Sequence, residues 1–308
     1  MAALTRFLRF RAPKAFALTA ASLAASGVPV GAHAQAQASK PCTNPAPPPG
    51  AQSLGYDRLV FCETPSTSDI SFADTGSSSK LYAWGWYSPA PGSKSLYSMA
   101  DQTFVIDSGG GVTTQTHRSQ PGAVPLLLAG AGFYVEFAER LSDNDPDHFP
   151  AVWLMPQEHN LKRDDHMPGD PPGYERWLEL DVDEGGYNQG HLGTMINWWG
   201  LYPQYEHKNF GNAPSSTFGM DRTQDHVFGL SYDPAGKKVT WWVDGANVGS
   251  VSTEPVPSIV NSYHYYLIIS AQNHKLNHPY KMYLSYFSAW SKAVPPKPPA
   301  GVKAEPVP

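Results

Sequence analysis

The feature that most limits what this chain can fold into is its punctuation. Thirty prolines and 27 glycines in 308 residues break it into short apolar and aromatic runs, too short for long helices. Runs rich in Val, Ile, Tyr, Phe and Trp between such breakers read as strands. They are predicted at 132–141, 149–156, 177–184, 191–199, 226–232, 237–245, 265–272 and 281–290. Asp233-Pro234-Ala235-Gly236 joins two of them as a turn would, which predicts an antiparallel hairpin. Many strands with local connections imply an all-β fold, a two-sheet sandwich.

The ends are of a different character. Arg6, Arg9, Arg11 and Lys14 precede an Ala-rich apolar run, and Ala32-His33-Ala34 offers a small-residue cleavage pattern. Residues 1–34 are therefore expected to be a signal peptide, placing the mature chain outside the cell or in a periplasm, with no membrane attachment after cleavage. Cleavage removes four positive charges and no acids, taking formal charge from −5 to −9. So acidic a surface disfavours nucleic acid as a partner. Residues 35–50 and 294–308 are Pro-rich and read as a lead and a tail, leaving 51–293 as one domain, expected to be a monomer. Cys42 and Cys62 make up the whole cysteine complement. In an oxidising compartment they are expected to pair; two free thiols is the other reading.

One strand carries an unusual load. WLELDVDEGG, residues 177–186, places Glu179, Asp181, Asp183 and Glu184 within six positions. Alternation puts Trp177, Glu179 and Asp181 on one face and Leu178, Leu180 and Val182 on the other. A regular strand would next bring Asp183 to the acidic face. A bulge would bring Glu184 there instead. Like charges side by side destabilise a sheet, so such a row calls for a reason beyond stability. Two glutamates flanking an aspartate can serve as nucleophile and acid/base in glycoside cleavage; a solvated face or a cation site is the alternative.

The bulged E-x-D-x-x-E strand resembles that of glycoside hydrolase family 16, in the form found in laminarinases and agarases. FYVEFAERLSDNDPDHFPAVWLMP (133–156), HVFGLSYDPAGKKVTWWVDGANVGSV (226–251) and MYLSYFSAW (282–290) are similar, in order, to that family's flanking segments. The resemblance covers about 100–290 and implies a jelly-roll sandwich of the concanavalin A-like kind. It implies a secreted, endo-acting, retaining β-glycosidase acting on a polysaccharide, a β-1,3-glucan first, with a galactan or exopolysaccharide as alternatives. A non-catalytic carbohydrate-binding sandwich is the rival class. By the same resemblance Glu179 is the nucleophile, Asp181 its helper and Glu184 the acid/base, with Trp153 and Trp177 lining the cleft. Asn197 stands at a sugar-binding position, and Trp198 is a candidate sugar platform. Asp181 and solvent are expected to keep Glu179 ionised, and neighbouring charge to raise Glu184. No cofactor is implied. Ser285 stands where the family often has a calcium-binding Asp.

Other aromatic and histidine residues are weighed more evenly. Trp84 and Trp86 suit either a distal subsite or packing, and Tyr202 and Tyr205 suit a loop platform. One of Trp241 and Trp242 is expected in the core. The histidines of 158–170 and of 274–278 suggest a cleft rim more than a metal site, for want of a third ligand nearby.

Overall fold

Leu178, Leu180 and Val182 are completely buried among residues of a second sheet, while Trp177 and Asp181 on the intervening positions join a different set of neighbours. Period-2 alternation sorts the strands Phe133–Leu141 and His264–Gln272 in the same way, with 133, 135 and 137 and 265, 267 and 269 between the sheets, and sets the layers of the fold. The computed structural model describes residues 41–73, 78–84, 90–115, 121–159, 172–185, 190–201, 204–212, 214–272 and 278–292. The expected signal peptide and tail, Trp86, Tyr202 and the side chain of Tyr205 lie outside them, as do residues 160–171 and 273–277.

Two sheets stack face to face. The first holds, in spatial order, β15 (Ala246–Ser252), β14 (Lys238–Val243), β13 (His226–Asp233) and β8 (Phe133–Leu141). It continues through β17 (Lys281–Ser291), β5 (Thr103–Asp107) and β4 (Tyr97–Ala100), with β1 (Arg58–Glu63) also paired to β17. The second runs β12 (Gln204–Asn212), β11 (Leu192–Leu201), β10 (Tyr174–Glu184), β9 (Phe149–Pro156) and β16 (His264–Gln272). Beyond β16 come β6 (Gly111–Thr113), β3 (Leu81–Tyr82) and β2 (Ile70–Ser71), and β7 (Leu127–Leu128) also pairs with β16. Among the described residues, all pairings are antiparallel except β2 with β3. The architecture is a jelly-roll sandwich, and the strands foreseen from the sequence form within a few residues of their expected ends. The β13–β14 hairpin closes across the expected turn.

Between the sheets lies one apolar layer, contributed by Phe133, Val135 and Phe137 of β8, Leu154 of β9, Leu178 and Leu180 of β10, and Trp241 of β14. A smaller cluster covers the outer face of the second sheet: Trp153, Met155, Trp177, Tyr266 and Ile268. A third covers the outer face of the first, around Tyr134, Trp242 and Trp290. The two adjacent tryptophans of β14 thus separate by parity. Trp241 enters the core and Trp242 packs outside.

The lead differs from its expected form. A 3-10 turn at Pro41–Thr43 carries Cys42, which is bonded to Cys62 on β1. The helix Pro49–Ser53 buries Gly50 and Ala51, and Gly50 lies so close to the Tyr134 and Trp242 rings that any Cβ there would overlap Tyr134. The segment is therefore tied down at Cys42 and at Gly50, while Thr43, Asn44, Ala46 and Pro49 between them stay exposed. Too few apolar residues for a core of its own made this segment read as linker; a cross-link and small residues that fit against aromatic rings hold it instead.

Trp241 links the two sheets. Its Nε1 donates to the backbone oxygen of Asp181 at 2.8 Å, satisfying a carbonyl where the β10 ladder is interrupted. Gly193 on β11 leaves room for that indole, and a Cβ at this position would overlap it. Gly193→Ala should destabilise the fold by about 1–3 kcal/mol, as overpacking does, measured by urea unfolding. Unchanged stability would mean that the indole has room to move.

Candidate active site

The register of β10 shifts where the acidic row needs it. Asp181 pairs with Trp153 on β9, but Asp183 and Glu184 pair with the next two residues, Val152 and Ala151. On β11, Asp181 pairs with Thr194 and Glu184 with Leu192, so three strand steps on one side face two on the other. The extra residue is a β-bulge at Val182–Asp183. Val182 faces the inter-sheet core and Glu184 returns to the side of Asp181.

Thr194 shows that return directly. Its hydroxyl donates to Asp181 Oδ2, and the same oxygen lies 3.3 Å from Glu184 Oε2. Glu179 is hydrogen-bonded to Asp181 and approached by the side chains of Trp177 and Trp198. Glu179, Asp181 and Glu184 thus share one groove on the outer face of the second sheet. Asp183 turns away and is fully buried.

Three carboxyls so close together cannot all ionise easily. Burial first, then the charge of Glu184, raises Glu179 to about 7, against hydrogen bonds from Trp177, Trp198 and Asp181. Burial and the charge of Asp181 raise Glu184 to about 9. Burial and the charge of Glu179 hold Asp181 well above the ordinary carboxylate range. The expectation that Asp181 and solvent keep Glu179 ionised is not met: Glu179 is half-buried, and burial with the charge of Glu184 raises it. What the groove preserves is the order: Glu179 loses its proton before Glu184 does.

The aromatic residues form a stack. Trp177 lies between His159, with centroids 4.1 Å apart, and Trp198, at 5.0 Å; Trp198 in turn meets His207 at 4.4 Å. Trp177 and Trp153 keep only 4% and 7% of their surface exposed, so they form the floor of the groove. Trp198 is half-buried and offers more of its surface. Asn197 is a correction. It pairs with Leu178, which faces the core, so parity places it on the opposite face from Glu179. Ile196 and Thr194 take the groove positions on β11.

His159 was expected at a rim and is buried, with Nδ1 3.3 Å from Glu175. Trp84 is buried. His278 lies 2.6 Å from Asp145 and 3.9 Å from Asp147, so the missing ligands come from a distant loop, and these three residues could hold a cation. No helix among the described residues is long and apolar enough to cross a membrane.

No family model matches the sequence, and no curated protein matches it. Among solved structures, the chain is similar to the catalytic domain of an endo-1,3-beta-glucanase (laminarinase) from Thermotoga petrophila. The identity is 14% and the TM-score 0.42, over 65% of this chain and 81% of that one. It is also similar to the kappa-carrageenase of Pseudoalteromonas carrageenovora, at 13% identity and a TM-score of 0.45, over 68% and 85% of the two chains. A glycoside hydrolase family 16 endo-glucanase from Bacteroides ovatus is 11% identical with a TM-score of 0.43, over 63% and 85%.

The raised carboxyls leave a mark on stability. Between the unfolded carboxylate range, about 4, and the folded value of Glu184, the native state holds a proton that the unfolded chain has released. Stability should therefore fall as pH rises from about 4 toward about 9. Glu184→Gln should flatten that slope in urea midpoints taken across the window. An unaltered slope would show that Glu184 titrates as an ordinary glutamate.

Proposed function

We propose that this chain is a retaining, endo-acting β-glycosidase that cleaves a β-linked polysaccharide, a β-1,3-glucan first, after export by its N-terminal segment. The bulge of β10 carries the proposal, because it brings Glu184 to the groove of Glu179 with Asp181 between them. The Cys42–Cys62 disulfide accords with export to an oxidising compartment. The β-1,3-glucan preference and endo action rest on the sequence resemblance.

The chemistry follows from the order of proton loss. Between about 7 and about 9, Glu179 is the carboxylate and Glu184 the acid. Asp181, hydrogen-bonded to Glu179, fixes the direction of its free lone pairs. Glu179 attacks the anomeric carbon as the bond to the leaving oxygen breaks, and Glu184 gives that oxygen its proton. A glycosyl ester on Glu179 results. Water then attacks the same carbon, Glu184 takes the water's proton, and Glu179 departs as carboxylate. Two displacements at one carbon restore the β configuration. The Trp198 ring can lie against the CH face of a sugar while the sugar's hydroxyls stay free for hydrogen bonds.

The free enzyme should show a bell-shaped kcat/KM profile with limbs near about 7 and about 9. An optimum below about 5 would contradict this assignment. Across a panel of β-glucans and galactans, Glu179→Gln should abolish turnover of whichever polymer the wild type cleaves. Glu184→Gln should form the glycosyl-enzyme from an activated aryl β-glycoside and stall, with azide releasing a β-azide. Full activity in either variant would remove that residue from its role.

A further inference from the structure

Behind the bulge, in the layer between the sheets, lies a charged group that the proposed reaction does not use. Arg222 Nη2 donates to Asp183 Oδ2 at 2.7 Å and also to Glu139 on β8. Its Nη1 donates to the backbone oxygen of Gly190 at 3.0 Å. His191 Nδ1 lies 2.8 Å from the other oxygen of Asp183. Both side chains lie against Phe228 of β13: the guanidinium at 4.7 Å from the ring centre, the imidazole stacked with centroids 5.6 Å apart. None of Glu139, Asp183, His191 or Arg222 is more than 3% exposed. One arginine therefore joins β10 of the second sheet to β8 of the first, at the residue where β10 slips its register.

Such a brace has a geometric consequence. A bulge is held only if both of its residues find an environment, and here Val182 has the core and Asp183 has Arg222. Were β10 to straighten, Asp183 would swing to the groove face and Glu184 would leave it. That movement would strip Arg222 of one of its two carboxyl partners and leave Glu139 alone beside it, and a buried charge that loses a partner is disfavoured. Burial opposes ionisation of Asp183, yet the Arg222 charge and the His191 hydrogen bond hold its carboxyl below the ordinary range. Burial pushes Glu139 up to about 8, so near neutrality the arginine is matched by one carboxylate, that of Asp183.

We infer that Asp183, anchored by Arg222, His191 and Glu139, is the positioning residue that fixes Glu184 on the face of Glu179. The inference rests on the glycosidase reading for its catalytic consequence, but not for its structural one. Glu184 faces Asp181 and Glu179 on its own strand and Thr194 on β11, with the Asp183 charge behind it. Removing that charge should lower the proton affinity of Glu184.

The test compares Asp183→Asn and Asp183→Ala with the full-length wild type, using crystal structures, melting curves and kinetics on the polymer that the wild type cleaves. Asp183→Asn keeps the shape if the alanine variant fails to fold. In the folded variants KM should stay within about threefold. The kcat should fall on the order of 100-fold, as expected when a catalytic group moves by about 1 Å. The basic limb of the pH profile should move to lower pH, and Glu184 should leave Thr194 in the crystal. Glu184 still beside Thr194 with an unshifted limb would overturn the inference, whether or not kcat falls, since general loosening can lower kcat alone. A wild type that cleaves no β-glycan would defeat the glycosidase reading, while the crystallographic position of Glu184 would still decide the brace.

Discussion

The register slip between Asp181 and Glu184 is the constraint on which the other features of this protein depend. Without it, the alternation of β10 would present Asp183 to the groove and bury Glu184. With it, one strand places three carboxyls on the same side, and Val182 and Asp183 both face the interior. Two contacts from the opposite sheet's side meet the disturbed backbone: Trp241 takes the Asp181 carbonyl, and Arg222 takes the Asp183 carboxylate. The sandwich therefore supports the groove from below as well as framing it.

The groove is costly to stability in a way that would suit the proposed chemistry. Glu179, Asp181 and Glu184 are all raised above their ordinary values, chiefly because the tryptophan floor and the packed strands exclude water. A sheet selected for stability alone would not gather like charges at strand spacing. The same crowding separates the two glutamates in proton affinity, which gives one the base form and the other the acid form at a common pH.

Much of this was legible in the sequence because it depends on period and type. Alternation assigned Leu178 and Leu180 to the core, and a row of acids on one strand required the bulge that the structure contains. Asn197 was misplaced because an equivalence one residue out of phase reverses the face of a strand, and only the β10–β11 register reveals the phase. Arg222 and Glu139 gave no signal at all. They lie 39 and 44 residues from Asp183 in opposite directions along the chain, and only packing of the two sheets brings them together. Thr194 is a short polar residue in an ordinary-looking strand, and its double contact with Asp181 and Glu184 follows from pairing rather than composition. The lead failed to read as structure for a related reason, since its order comes from a cross-link and from rings on β8 and β14.

The most direct measurement is the anomeric configuration of the first product, followed by proton NMR during hydrolysis and before mutarotation. Glu179 acting as nucleophile in the groove shared with Glu184 requires two displacements at the anomeric carbon, so the initial product should be the β-anomer. An α-anomer appearing first would mean that water attacks directly. The bulged carboxylates would then not form the nucleophile and acid/base pair described here.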